Sequence, residues 1–456
     1  MLGIIAFSLV FILTFSIAAR RFMAIRRNIN LGKDELIAGN EGKRWKNVLL
    51  VAFGQKKMFK NWIPAVLHLF IYVAFLFTQI ELIEIFVDGF TGSHRFFAPY
   101  LGIIYTIAIN TIEILSVLAF IGTIAFLSRR NILRVARFQK PEMIGWPSMD
   151  ANIILGLELI LLIGIFTMNG TDVLLQEIDP AHYPDSGTLM ISSIIGPAVF
   201  GWMNKDALVF LERAGWWLHI LTVFGFLLYL PFSKHLHIVL AFPNTWFARL
   251  RKNGKMENMP DIMLEVQSMM GIATPDSGAA SMEEIPEFGS NDVFNLSWKN
   301  ILDAYSCTEC GRCTAQCPAN ITGKKLSPRK IMMDVRDRAE EVGTNLDTGD
   351  EKYIKSDKRK EGAELSPQNY DDGKSLFDYI SPEELHACTT CNACVEACPI
   401  LIDPLEIILK MRRYEILTLS AGPSEWVPMF TSMENNGSVW QMPVDRDQWA
   451  KDAREA

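Results

Sequence analysis

The sequence predicts a mainly α-helical chain in which a bundle of five membrane-spanning helices precedes a soluble helical region. Three observations predict it. Five long apolar stretches fall within the first 232 residues, the loops between them carry Lys and Arg on alternate sides, and all eight cysteines lie after residue 306. A content of 50% hydrophobic and 21% charged residues suits such a division, too apolar for a soluble chain and too charged for one wholly in lipid. The net charge of -7 provides no basic excess for nucleic acid.

Residues 1–19 contain no charged side chain and are followed by Arg20, Arg21, Arg26 and Arg27. A secretory signal would carry its positive charge before the apolar run, so the expectation is an uncleaved anchor with its N-terminus outside. Further spans are expected at about 62–87, 98–128, 151–169 and 207–232, each near or above the ~20 residues that cross ~30 Å of hydrocarbon. Segments 20–60, 129–140 and 234–255 are basic, whereas 170–206 has Asp172, Glu177, Asp179, Asp185 and Asp206 against the single Lys205. Positive charge marks the inner side, which places everything after the fifth span in the cytoplasm and the protein in the cytoplasmic membrane. The short apolar stretch LMISSIIGPAVF (189–200) is expected as an interfacial or re-entrant helix on the outer face.

Ionisable residues within a bilayer commonly mark a pathway or a cofactor. His68 lies near the cytoplasmic start of the second span, and His219, His235 and His237 lie on or just after the fifth. If Pro231 only kinks that helix, the 18 residues from His219 to His237 make about five turns, which brings both imidazoles to one face. Two imidazoles so placed suit haem b stacked against a facing helix. His68 supplies the partner of His237 at the inner level; the outer half of the second span (TQIELIEIFV, 78–87) holds no histidine for His219. His235 stands about 200° around the helix from His237 and reads as its neighbour. Gln79, Glu81, Asn110, Glu113 and Glu158 are open to two readings, helix–helix hydrogen bonds or a quinol site.

The run LHILTVFGFLLYLPFSKHLH (218–237) resembles the fifth helix of the cytochrome b (gamma) subunit of respiratory nitrate reductase and its relatives in membrane-bound heterodisulfide reductase. The resemblance implies haem ligation by His219 and His237, with the inner ligand of the second helix at His68. The outer second-helix ligand falls on Thr78, so one bis-histidine haem b is expected, and a second would lack a ligand.

Residues 256–296 (Met-rich and acidic, with Gly, Ser and Pro) read as a linker between a membrane domain, 1–255, and a soluble domain, 297–456. Cys307, Cys310, Cys313 and Cys317 form C-x2-C-x2-C-x3-C closed by Pro318; Cys388, Cys391, Cys394 and Cys398 repeat it, closed by Pro399. In two-cluster ferredoxins the fourth cysteine of each run ligates the other cluster. One [4Fe-4S] cluster is therefore assigned to Cys307, Cys310, Cys313 and Cys398, and the other to Cys388, Cys391, Cys394 and Cys317. Zinc is the alternative for C-x2-C pairs, and two complete four-cysteine runs favour clusters. The 70 residues between Cys317 and Cys388, with helical signals in SPRKIMMDVRDRAEEV and DPLEIILKMRRYEIL, resemble the α-helical dicluster ferredoxin domain of heterodisulfide and fumarate reductase iron-sulfur proteins. Residues 344–374 read as a surface loop.

SWKNILDAYSCTECGRCTAQCPANITGKKLSPRK (297–330) and ENNGSVWQMPVDRDQW (434–449) are similar to membrane-bound oxidoreductases of the heterodisulfide reductase type, including electron-transfer flavoprotein:menaquinone oxidoreductases. The resemblance implies a five-helix cytochrome b bundle followed by a cytoplasmic dicluster ferredoxin domain. It further implies a membrane electron-transfer subunit that links a cytoplasmic donor to the menaquinone pool. In that family a cysteine-rich CCG module carries the active site; no cysteine follows Cys398, so the module is expected on a partner subunit. The alternative is a non-catalytic membrane anchor, which would need no haem. Neither G-x-G-x-x-G nor G-x-S-x-G occurs to support a nucleotide or hydrolase site.

Overall fold

The computed structural model of the chain describes residues 1–456 except 253, 257, 273–287, 361, 440–444, 446 and 456. Among the described residues five helices are long and apolar enough to cross a membrane: Leu2–Ile29, Trp62–Thr91, Ile103–Ile132, Trp146–Ile178 and Lys205–Phe232. Apolar side chains such as Ile12, Ile107 and Phe210 point away from the protein, as they do where lipid is the solvent.

We number the helices α1 (Leu2–Ile29), α2 (Glu41–Asn47), α3 (Trp62–Thr91), α4 (Ala98–Leu101), α5 (Ile103–Leu127), α6 (Trp146–Ile178), α7 (Ser192–Phe200), α8 (Lys205–Tyr229), α9 (His237–Trp246) and α10 (Pro260–Met269). The soluble half adds α11 (Trp298–Ser306), α12 (Arg312–Gln316), α13 (Pro318–Ile321), α14 (Pro328–Thr348), α15 (Ser356–Lys360), α16 (Pro382–His386), α17 (Ala393–Ala397), α18 (Pro404–Arg413), α19 (Trp426–Asn436) and α20 (Gln448–Glu455). Among the described residues the only β pairing is two isolated bridges, Lys33 with Ser297 and Ile354 with Tyr370.

Helices α6 and α8 approach each other closely. A Cβ at Gly164 would stand 3.0 Å from the His219 nitrogen, and one at Gly215 would stand 2.8 Å from the Met168 nitrogen. Both contacts are with backbone, which cannot swing aside, so only glycine permits this spacing. The apolar stretch at 189–200 forms α7, which packs on α6 at the end of the bundle away from the cysteines.

The fifth span corrects one expectation. Helix α8 stops at Tyr229, two 3-10 turns cover Leu230–Phe232 and Lys234–Leu236, and α9 begins at His237. Pro231 ends the helix instead of kinking it, and Ser233, extended, accepts from the His235 nitrogen. His219 and His237 thus belong to different helices, and the five-turn register does not connect them.

The soluble half sits on the end of the bundle that carries the basic loops, and one apolar core runs through the junction. Ile25 and Leu31 from the end of α1 and Leu236 and Ala241 from the start of α9 join Val293, Leu296, Ile331, Val335 and Ile407. Residues 288–296, in the segment read as linker, therefore contribute to the core, while 273–287 lie outside the described residues. The surface loop expected at 344–374 likewise has an inner face. Tyr370 is buried, and Asp372 pairs at 2.6 Å with the buried Arg338, which also holds Asp292 at 2.6 Å.

Polar contacts knit the same junction. Asn28 donates to the Tyr305 hydroxyl at 3.0 Å, Lys234 meets Glu309 at 2.6 Å, and Asn244 donates to the Ile400 carbonyl at 2.9 Å. The fully buried Arg329 meets Glu142 of the loop before α6 at 2.6 Å.

Two expectations test this packing. Gly215→Val should force α6 and α8 apart at a cost of about 1–3 kcal/mol, read as a lower unfolding temperature in detergent. An unchanged temperature would contradict the close approach. Burial raises the Glu142 carboxyl, but hydrogen bonds from Ser327 and Arg329 outweigh it and hold the group below its ordinary 4.5. A depressed carboxylate contributes stability above its unfolded value and loses it as pH falls through the folded one. The junction should therefore be tight above pH 4.5 and loosen below it, and Glu142→Ala should cost about 3–5 kcal/mol at neutral pH. Amide hydrogen exchange over 133–145 and 327–335 measures both, and protection unchanged by acid or by the substitution would refute the role given to this pair.

Candidate functional site

The two cysteine runs fold into two loops of the same shape. Helix α11 opens on a capping box formed by Ser297 and Asn300 and delivers Cys307 at its C-cap. Glu309 and Gly311 then adopt left-handed backbone, with φ of 52° and 71°, before α12 carries Cys313 and ends at Cys317. The second loop repeats this two and four residues after its first cysteine. Thr390 and Asn392 have φ of 56° and 61°, α17 carries Cys394, and Cys398 closes it. Left-handed turns let successive amides point inwards, and Thr390 and Ile402 direct theirs at the sulfurs of Cys388 (3.4 Å) and Cys398 (3.3 Å). Gly311 meets a second constraint, since a Cβ there would collide with the Arg329 guanidinium. Pro318 opens α13 where its missing N–H costs nothing.

Helices α12 and α17 pack together, and the loops exchange their last cysteines. Cys398 stands within electrostatic reach of Cys307, Cys310 and Cys313. Cys317 acts on Cys388 and Cys394, and a cavity is lined by Cys317, Cys388, Cys391 and Cys394. None of the eight is in a disulfide. Among the described residues no three His, Cys, Asp or Glu side chains converge as ligands of a single metal ion would. Two sets of four sulfurs, each receiving backbone N–H donors and one of them lining a cavity, fit cubes better than one zinc ion. Burial pushes the thiols of Cys307 and Cys398 up to about 12, and those of Cys313 and Cys394 upwards as well. Loading such a site must release protons, because the ligand is the thiolate.

The surroundings of the two sets differ. Lys57 lies near Cys398 and Arg137 near Cys310, both contributed by loops of the membrane half. Arg312, beside Cys313, donates to the carbonyls of Lys57 and Met58 at 3.3 Å. In the other set Cys391 is exposed, and Arg412 donates to the Cys388 carbonyl at 2.7 Å. The first set therefore faces the membrane bundle and the second borders solvent.

The predicted histidines fall into two places. His68, His235 and His237 gather at the end of the bundle nearest the cysteines. His68 is within electrostatic reach of His237 and of Arg312, and the rings of His235 and His237 are 5.7 Å apart. His68 Nδ1 meets Gln55 Oε1 at 3.1 Å, and His237 Nδ1 meets the Lys234 carbonyl at 2.9 Å. An acceptor at Nδ1 fixes the tautomer and leaves Nε2 as a ligand atom. His235 Nδ1 is buried without a partner. His219 lies apart, in the α6–α8 contact, with Nδ1 3.3 Å from the Leu161 carbonyl. Sequence reasoning missed Gln55, Lys57 and Arg312. The basic run KKMFK (56–60) was legible only as a sign of topology, and nothing in it shows that its carbonyls receive an arginine from residue 312.

Comparison with known proteins agrees with the cysteine half. Residues 306–402 match the 4Fe-4S dicluster domain family. The chain is 26% identical over 472 residues to the "Probable iron-sulfur-binding oxidoreductase FadF" of Bacillus subtilis, covering 99% of this chain and 62% of that one. It is 27% identical over 407 residues to the "EtfAB:quinone oxidoreductase" of Syntrophomonas wolfei, covering 85% and 51%. It is 32% identical over 167 residues to the "Probable membrane-anchored ferredoxin" of Chromohalobacter salexigens, covering 35% and 23%. The chain thus spans 62% and 51% of the length of the first two relatives. No solved structure matches it. With five candidate spans before a dicluster domain and oxidoreductases among its relatives, the chain is an iron–sulfur electron-transfer protein of the membrane.

Proposed function

We propose that the chain passes electrons between a cytoplasmic donor, an electron-transfer flavoprotein or a cysteine-rich CCG-type module, and the menaquinone pool. The observation that carries this reading is the order of sites at the junction. A solvent-bordering sulfur set is followed by one facing the membrane, then by the Lys57–Arg312 contact and by His68 with Gln55. The relatives named for iron–sulfur oxidoreduction and for oxidoreduction of EtfAB with quinone support it.

In this reading Cys307, Cys310, Cys313 and Cys398 hold one [4Fe-4S] cluster and Cys388, Cys391, Cys394 and Cys317 the other. His68 and His237 hold one haem b, whose chemistry is one-electron carriage within the membrane. The flanking Lys57, Arg137 and Arg412 offset the negative charge of four thiolates, which is one of the levers on cluster potential. His219 is committed to the α6–α8 contact and has no facing imidazole. The basic loops gather at the cysteine end, so the soluble half lies in the cytoplasm and the N-terminus outside.

The test is a reduced-minus-oxidised spectrum with haem and iron counted per purified chain. The expected result is about eight irons, as two cubes require, and one haem. The haem should be lost in His68→Ala and His237→Ala and retained in His219→Ala. Cys398→Ser and Cys317→Ser should alter different cluster signals by electron paramagnetic resonance, the former together with Cys307→Ser. Two haems would give His219 a ligand role, and none would overturn the haem assignment in favour of a plain membrane anchor.

A further inference from the structure

The end of the bundle away from the cysteines holds a second polar centre. Glu81, Glu84 and Asp88 are spaced i, i+3 and i+7 along α3 and share one face. Glu84 accepts from the Tyr105 hydroxyl at 2.7 Å and the Phe97 amide at 2.9 Å. Asp88 accepts from the amides of Arg95 (3.0 Å) and Phe96 (3.1 Å) and from Ser93 Oγ (3.0 Å). Arg95 lies between the helices and donates to Asn169 (2.6 Å), Asp172 (3.2 Å) and Tyr105 (3.2 Å). The Asp172 carboxylate also meets His94 Nε2 at 2.8 Å, and the His94 side chain is 18% exposed.

Glu81 breaks this pattern. It is 2% exposed, no partner lies within 3.5 Å of either carboxylate oxygen, and the Asn169 amide is the one donor near enough to act on it. The charged and polar groups facing it are Glu84 on its own helix, Arg95 from the following loop, Glu113 on α5 and Asn169 on α6. Glu113 itself is satisfied by the amides of Ile191 (2.9 Å) and Ser192 (3.3 Å). A carboxyl placed to tie helices together would be bonded as Glu84, Asp88 and Glu113 are. Glu81, further from the far end of α3 than Glu84 and Asp88 and fixed by no backbone amide or hydroxyl, is placed to give and take a proton.

We propose that Glu81 exchanges protons with the aqueous phase at the far end of the bundle along the Asp88–Glu84 face of α3, and that a membrane quinone is the group it serves. The quinone part rests on the function proposed above. As a quinone oxygen gains an electron from the protein's redox centres it takes the Glu81 proton, and the Glu81 carboxylate recovers one from the far side. Two such turns convert one quinone, two electrons and two protons into one quinol.

The experiment uses the full chain in oriented vesicles of neutral phospholipid. Dicyclohexylcarbodiimide, which adds to protonated carboxyls in apolar surroundings, is the probe, read by peptide mass spectrometry. The expected result is an adduct at Glu81 that diminishes when only the far-side buffer is made alkaline. No adduct at Glu81, or an adduct governed by the cysteine-side buffer, overturns the proposal without recourse to any variant. Glu81→Gln should slow reduction of an added menaquinone analogue by about 10²-fold, while dithionite still reduces the clusters at the original rate. Far-side control of the adduct in a protein that reduces no quinone would keep the proton path and dismiss the quinone reading.

Discussion

Charged side chains that find their partners across the junction organise this molecule. Arg329 of the soluble half is fully buried and depends on Glu142 of a membrane loop; Lys234 of a membrane loop depends on Glu309 between two cluster cysteines. Burying an ion is tolerable only when its counter-ion arrives with it, so these pairs favour the two halves settling together. The same contacts set the site geometry. Arg329 lies under Gly311, and Glu309 occupies the first left-handed turn of its loop, so the ion pairs that dock the domain also shape the cysteine loop.

The basic loops consequently have two roles. They gather at the end of the bundle on which the soluble half sits, and they also bring cations to the first sulfur set. Lys57 and Arg137 take part in the second role, and Arg312 of the cysteine loop ties itself to the Lys57 carbonyl. A positive setting of this kind favours thiolate ligands and makes added electrons easier to hold.

Much of this was legible in the sequence. The spans were, because a bilayer demands uninterrupted apolar helices, and the cysteine loops were, because ligand spacing is local. The ends of the spans were less so. The fourth was expected to stop at residue 169, yet α6 continues to Ile178, because Asn169 and Asp172 are paid in kind by Arg95, a residue 74 positions away from the first of them. The break before His237 was not legible either. A proline can kink a helix or end it, and here the alternative is settled by Lys234, which reaches the Pro147 carbonyl and Glu309. Burial of Tyr370 and Asp372 in a stretch rich in Asp, Lys and Gly was hidden for the same reason, since the partner that draws Asp372 inwards is the distant Arg338.

The bridge between Lys33 and Ser297 carries a consequence for how the chain is made. The Lys33 amide donates to the Leu296 carbonyl at 2.7 Å, and its own carbonyl receives the Trp298 amide at 3.0 Å. Ile25 and Leu31 share a core with Ile407 and Met411, which follow them in the chain by more than 370 residues. During synthesis α1 is therefore made with its inner end unpaired and waits for α14 and α18 to follow. That interval leaves apolar surface uncovered at the membrane face until the soluble half closes over it.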